Sequence, residues 1–165
     1  DTMASVYHVG MGDIVVAKHP VVLTSLGLGS CIGLVIYDDI AKVAGMSHIM
    51  LPNNHEDKDV KKLGKYADTA VPKLIEDLIA LGALKSRLKA KMAGGAQMFS
   101  IPGKNSASFL AIGERNIETT KKMLEQYGIP LVASDVGGNK GRSVEFYTDN
   151  WIMIVKVIGS EIKKL

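Results

Sequence analysis

The chain has 165 residues and a mass of 17.7 kDa; 47% of its residues fall in the AVILMFWYC set and 22% are charged. That balance excludes intrinsic disorder, which needs low hydrophobicity with high net charge, and the size predicts one domain over residues 1–165. The longest apolar runs, such as Ile32 to Tyr37, are far short of the roughly 20 residues of a membrane-spanning helix, so no membrane insertion is expected. The net charge is +3, from 20 Lys plus Arg against 17 Asp plus Glu, with bases and acids interspersed and aromatics at 5%. This reads as a mixed solvated surface rather than a nucleic-acid-binding face. A single cysteine excludes an intramolecular disulfide and a multi-cysteine metal cage. The first five residues lack a basic stretch followed by an apolar one, and a lone thiol suits a reducing compartment. A cytoplasmic location is expected.

In chain order, Val6 to Val9, Ile14 to Ala17 and Val21 to Leu23 are short β-branched runs separated by Gly, Asp and Pro. Ile32 to Tyr37 and Val43 to Met50 are stronger strands, apolar on both faces as in a layered core. Then the period changes. Val71, Leu74, Ile75, Leu78 and Ile79 mark an amphipathic helix, with Asp68 or Thr69 as N-cap, Pro72 in the first turn and Gly82 at the stop. Leu88, Ala90 and Met92 alternate with cations, as in a half-buried strand, and a loop with Pro102 and Gly103 follows.

A second helix is predicted from about Glu114 to Gln126, with Ile117, Thr120, Leu124 and Tyr127 inward and Gly128 as its stop. Leu131 to Ser134, Ser143 to Tyr147 and Trp151 to Val157 close the chain as strands, the last two joined by Thr148-Asp149-Asn150. The total is about nine strands and two helices without strict βαβ alternation, which predicts an α+β fold.

Cys31 is the first candidate for chemistry. It follows Ser25-Leu26-Gly27-Leu28-Gly29-Ser30, a glycine-punctuated turn that can aim backbone N–H groups at one point, as an oxyanion site requires. The plain alternative is a small buried hydrophobe. His48 is the second. The strands flanking Asp38-Asp39-Ile40-Ala41 form a hairpin in outline, and a turn centred between Asp39 and Ile40 sets Cys31 directly opposite His48. Opposed side chains in an antiparallel pair have Cβ atoms about 4.5–5.5 Å apart, while a one-residue slip moves the two groups to opposite faces. A thiol beside an imidazole supplies a nucleophile and its acid–base partner. A third polar group usually orients the imidazole, and Ser25 and Thr24 are both in reach.

Other motifs are weaker. Gly27-Leu28-Gly29 lacks the third glycine of a dinucleotide fingerprint, because position 32 is Ile32, and no Walker A spacing occurs. His55-Glu56-Asp57 lies in a charged loop, Asn53 to Lys62, where no metal is expected. Gly137-Gly138-Asn139-Lys140-Gly141-Arg142 has the composition of an anion-binding nest, with a tight turn between strands the favoured reading.

The chain resembles the chemoreceptor glutamine deamidases (CheD) of bacterial chemotaxis. The resemblance rests on Leu26-Gly27-Leu28-Gly29-Ser30-Cys31 with His48-Ile49-Met50-Leu51-Pro52 downstream, and on Gly64 to Ala70, Ala93-Gly94-Gly95-Ala96, Ile112-Gly113-Glu114-Arg115-Asn116 and Gly137 to Ser143. It runs from about Val9 to Val157. The resemblance implies a β-sandwich flanked by helices, akin to the cysteine hydrolase domain of cytotoxic necrotizing factors. It implies Cys31 as nucleophile, His48 as base, and an oxyanion site of backbone N–H groups at Gly29, Ser30 and Cys31. The family usually has a threonine six positions before the cysteine; here Ser25 stands there, with Thr24 beside it, and either hydroxyl can serve. The implied reaction deamidates selected glutamines of methyl-accepting chemoreceptors, with no metal or organic cofactor, and implied partners are receptor cytoplasmic domains and a CheC-type phosphatase. Two other readings carry the same residues: a non-catalytic regulatory partner of CheC or of receptors, and a different thiol hydrolase.

Overall fold

The computed structural model describes residues 4–54, 61–98, 111–160 and 162–165. Strands β1 (Ser5–His8), β2 (Ile14–Lys18), β3 (Val21–Leu28), β4 (Ile32–Asp38) and β5 (Val43–Ile49) precede helix α1 (Ala67–Ala80). Strand β6 (Lys89–Gly94) leads to helix α2 (Ile112–Gln126). Strands β7 (Leu131–Val136), β8 (Arg142–Tyr147), β9 (Ile152–Val157) and β10 (Ile162–Lys164) complete the described chain. The fold is α+β, with two five-stranded sheets ordered β1-β3-β8-β9-β10 and β2-β5-β4-β6-β7. Pairing is antiparallel except at β1/β3 and β6/β7.

Three layers follow from side-chain alternation. On β4, Ile32, Leu34 and Ile36 point to the helical side and pack with Leu74, Leu78 and Leu124. Val35 and Tyr37 point the other way and pack with Leu23, Val144, Phe146 and Met153 of the facing sheet. Every residue of β4 and β5 is buried, so their unbroken apolar character reflects cover on both faces. Tyr37, Phe146 and Trp151 form an aromatic seam in the inter-sheet core, with Tyr37 and Trp151 stacked at 5.6 Å between ring centres.

Both helices end as their glycines predict. Gly82 and Gly128 take positive φ, and each is followed by a pair of closing bonds: Gly82 N–H to the Ile79 carbonyl with Ala83 N–H to Leu78, and Gly128 N–H to Glu125 with Ile129 N–H to Leu124. The start of α1 differs from expectation. It begins at Ala67 with Tyr66 as N-cap and no side-chain cap, so neither Asp68 nor Thr69 caps it, and Pro72 lies inside the helix. The Thr69 hydroxyl instead donates to the Leu63 and Tyr66 carbonyls and joins the helix to the preceding 3-10 turn. β3 runs five residues beyond the expected Leu23, because Thr24 and Ser25 still pair with β8 through Glu145 and Val144. β10 gave no sequence signal: its three residues are all exposed at a sheet edge and carry no alternation. The loop expected around Pro102 and Gly103 lies outside the described residues.

Candidate active site

Strand β3 delivers two neighbouring hydroxyls to opposite faces. Ser25 shares the inward parity of Val21 and Leu23 and is buried between the sheets. Its Oγ donates to the Val9 carbonyl at 2.8 Å and lies 2.8 Å from His48 Nδ1. A hydroxyl has one proton, so with that proton on Val9 the oxygen accepts from Nδ1–H. The Val9 carbonyl, 3.4 Å from the same ring nitrogen, favours the same tautomer. Nε2 is then the basic nitrogen. It is buried and, among the described residues, has no hydrogen-bond partner. Thr24 points the other way and its hydroxyl is engaged with His8 Nδ1 at 2.8 Å.

After Ser25 the strand bulges: Leu26 and Gly27 together face one residue of β8, and Gly27 has φ of 65°. The bulge returns Leu28 to the core and turns the chain through Gly29 and Ser30 to Cys31, which is half-buried. The Cys31 carbonyl accepts from Gly95 N–H at 2.9 Å, and the Gly29 carbonyl from Ala96 N–H at 2.8 Å. A Cβ on Gly94 would overlap the Cys31 carbonyl oxygen, so the Gly94-Gly95 exit of β6 is shaped by its approach to the cysteine. Among the described residues no acceptor takes the N–H of Ser30 or of Cys31.

The β4/β5 register differs from the sequence expectation by two residues. Gly33, not Cys31, faces His48, and Ile32 faces Ile49. The cause is the turn. The buried Asp38 carboxylate accepts from the N–H groups of Ile40 and Ala41 at 3.0 Å each, and Lys42 takes φ of 60°. Four residues, 39–42, therefore separate the strands. A shift of two preserves the face, so Cys31 and His48 remain on the inter-sheet side as diagonal neighbours, where Cβ atoms lie a little under about 7–8 Å apart. Gly33, directly opposite the imidazole, places no side chain between them.

Burial pushes the Cys31 thiol above its ordinary range. It also pushes His48 below the usual imidazole value, against the Val9 hydrogen bond and the charge of Asp13, which favour the cation. Both shifts favour the uncharged forms, thiol and neutral imidazole. The backbone of His48 is held on its outer side by the 10–13 loop: Gly12 N–H donates to its carbonyl at 2.9 Å, and its own N–H donates to Asp13 at 3.2 Å. A cleft of about 230 Å³ opens beside the imidazole, with His8, Met11, Thr24, Ser25 and Leu26 in its wall. Met11 and Leu26 are 60% and 69% exposed, so its rim is apolar.

Asn116 of α2 was not singled out as a candidate. It is fully buried and donates to the Ser30 carbonyl at 2.9 Å and the Met50 carbonyl at 3.0 Å. The available signal was a polar residue on an otherwise inward helix stripe, Gly113, Asn116, Thr120 and Leu124. The 137–142 segment is a turn wrapped around the buried Arg142 guanidinium. That group donates to the Asp135 carbonyl at 2.7 Å and carboxylate at 3.1 Å, and to the Gly137 and Lys140 carbonyls. No cluster of three or more His, Cys, Asp or Glu suited to a metal occurs among the described residues. His55-Glu56-Asp57 lies outside them.

A thiol and a tautomer-fixed imidazole on the same side of one sheet, with the N–H groups of Ser30 and Cys31 unpaired among the described residues, offer the groups that thiol-dependent acyl chemistry uses. The chain belongs to the CheD family. The family model described as "CheD chemotactic sensory transduction" matches residues 50–157, which begins just after His48. Curated relatives align over nearly the whole chain. A "Probable chemoreceptor glutamine deamidase CheD" of Caldanaerobacter subterraneus subsp. tengcongensis is 49% identical over 97% of this chain and 98% of its own length. A "Chemoreceptor glutamine deamidase CheD" of Halalkalibacterium halodurans is 45% identical over 99% of this chain and all of its own. The protein of that name from Thermotoga maritima is 45% identical over 95% and 98%. A crystal structure of a Neisseria meningitidis protein of the DUF152 family shares the fold at 9% identity, with a TM-score of 0.52 over 87% of this chain and 75% of that one. No helix among the described residues is long and apolar enough to cross a membrane.

Proposed function

We propose that this chain is a cysteine-dependent deamidase converting selected glutamines of methyl-accepting chemoreceptors to glutamate in chemotactic adaptation. The observation that carries the mechanism is the buried Nε2 of His48, unpartnered among the described residues, with its tautomer set by Ser25, on the same face as Cys31. Family membership at 43–51% identity over most of the chain supports the reaction and substrate class.

The chemistry starts from a neutral pair. As Cys31 Sγ attacks the glutamine side-chain carbonyl carbon, Nε2 takes the thiol proton and the C=O π electrons move to oxygen. The Ser30 and Cys31 N–H groups, together with Gly29, form the oxyanion site. Collapse of the tetrahedral adduct breaks the C–N bond, and His48 returns the proton to the departing ammonia. Water, deprotonated by His48, then hydrolyses the thioester and releases glutamate and free Cys31. Ser25 orients the imidazole and stabilises its cationic form; Thr24 belongs to a separate pair with His8. No metal or organic cofactor enters this scheme.

The proposal includes a single catalytic domain over residues 1–165, related in fold to the cytotoxic necrotizing factor hydrolases and acting in the cytoplasm. It includes receptor cytoplasmic domains as substrates, a CheC-type phosphatase as regulatory partner, and no role for nucleic acid. The α+β arrangement of two sheets supports the fold relation, and the near balance of basic and acidic residues supports the absence of a nucleic-acid role; the other points rest on the family resemblance. The test is incubation with a purified receptor cytoplasmic domain, followed by peptide mass spectrometry for the 1 Da gain of glutamine-to-glutamate conversion. Conversion lost in Cys31→Ala is expected. Binding without conversion would favour a regulatory partner, and incorporation of an added amine in place of water would favour a different thiol transferase.

A further inference from the structure

We infer that Asn116 is a positioning residue that sets the direction of the Cys31 N–H in the oxyanion site; the inference rests on the deamidase reading above. Its Nδ2 lies 2.9 Å from the Ser30 carbonyl and 3.0 Å from that of Met50. Both partners are acceptors, so the atom facing them is the amide nitrogen. The other amide atom, Oδ1, is buried and without a partner among the described residues. A fully buried amide that leaves its own oxygen unsatisfied is costly, yet its two donor bonds meet the two backbone segments that carry Cys31 and His48.

The peptide between Ser30 and Cys31 is a planar unit in which the carbonyl and the following N–H point in opposite directions. Holding the Ser30 carbonyl toward α2 therefore aims the Cys31 N–H away from the helix. Met50 is the residue that would face Cys31 one step beyond the last ladder pair, Ile32 with Ile49. Asn116 thus clamps the two strands where the ladder stops. The helix is held close enough to do this by Gly113, where a Cβ would meet the Ala96 and Gly95 carbonyl oxygens at 2.5 and 2.6 Å. A clamp that only stabilised the fold would affect every property of the thiol alike. One that aims the oxyanion donor affects only reactions that build negative charge on oxygen.

Two reactions of Cys31 separate these cases in the full chain. Deamidation of a receptor cytoplasmic domain passes through an oxyanion, whereas alkylation by iodoacetamide displaces iodide at carbon and does not. Asn116→Ala is expected to lower kcat about 10- to 100-fold with KM within about threefold, while the alkylation rate and its pH midpoint stay at the native values. Should that variant fail to fold, Asn116→Ser, which keeps a polar group but is too short to bridge both the Ser30 and Met50 carbonyls, carries the same comparison. Equal losses in deamidation and alkylation, or an unchanged kcat, would overturn the inference. A native protein that alkylates but never deamidates would instead strike the underlying deamidase reading.

Discussion

Ser25→Ala probes how the imidazole is held. The serine oxygen accepts from His48 Nδ1 at 2.8 Å. Without it, the ring keeps only the Val9 carbonyl at 3.4 Å, a weak contact beside the usual 2.7–3.2 Å range. In the resting enzyme that is a bond between neutral groups. In the transition state the ring carries a proton on both nitrogens, and the bond becomes charge-assisted, worth roughly 1.5–3 kcal/mol. At about 1.36 kcal/mol per factor of ten, the loss is roughly 10- to 150-fold in kcat, with KM little changed. Wholesale loss of the tautomer costs about 10⁴ in related triads, and the Val9 carbonyl keeps Ser25→Ala well short of that. Ser25→Thr, which retains the hydroxyl, should stay within several-fold of native. Thr24→Val, which disconnects only His8, should change kcat by less than about threefold. The assay is the initial rate of glutamate formation on a receptor cytoplasmic domain. A Thr24→Val loss matching that of Ser25→Ala would refute the assignment of the orienting hydroxyl.

Four further outcomes follow from the same structure. His48 is depressed by burial, so the acidic limb of kcat/KM for the free enzyme should fall below the ordinary imidazole value of about 6.5. The same depression makes the folded state bind fewer protons than the unfolded chain below that pH; stability should drop as pH falls through this window and recover in His48→Gln, as read by urea titrations at pH 5 and 7. The Cys31 thiol is raised by burial, so iodoacetamide reactivity without substrate should keep rising beyond the ordinary thiol midpoint of about 8.5, with a plateau at neutral pH counting against the neutral resting pair. Gly94→Ala, by intruding on the Cys31 carbonyl, should cut activity at least about tenfold and lower Tm, whereas an unchanged rate would show that the β6 exit does not shape the site.

Much of this site was legible because it lies in short-range patterns. β4 and β5 read as buried strands from unbroken apolar runs, and the glycines that stop both helices identified themselves by position. The pairing of Cys31 with His48 was legible in parity but not in register. Whether a hairpin loop holds two residues or four depends on the Asp38 carboxylate and its N–H partners, among them Leu84 and Arg87 from 46 and 49 residues away. The choice between Thr24 and Ser25 was hidden for a similar reason. It turns on which face of β3 meets the second sheet, and the Val21 to Leu28 run shows no clean alternation that would decide it. Asn116 depends on a helix docking nearly ninety residues from Ser30, and no local pattern encodes that contact.

The central claim is that Cys31 performs glutamine hydrolysis with His48 as its base. The direct measurement is intact-intermediate mass spectrometry of the protein mixed with a receptor cytoplasmic domain and quenched in acid, comparing the native chain with Cys31→Ala and His48→Gln. A receptor–protein thioester at Cys31 is expected in the native sample, followed by glutamate at the same receptor position. Neither species is expected with Cys31→Ala, and thioester formation should be at least about a hundredfold slower with His48→Gln. Glutamate formation that persists in Cys31→Ala would contradict the claim.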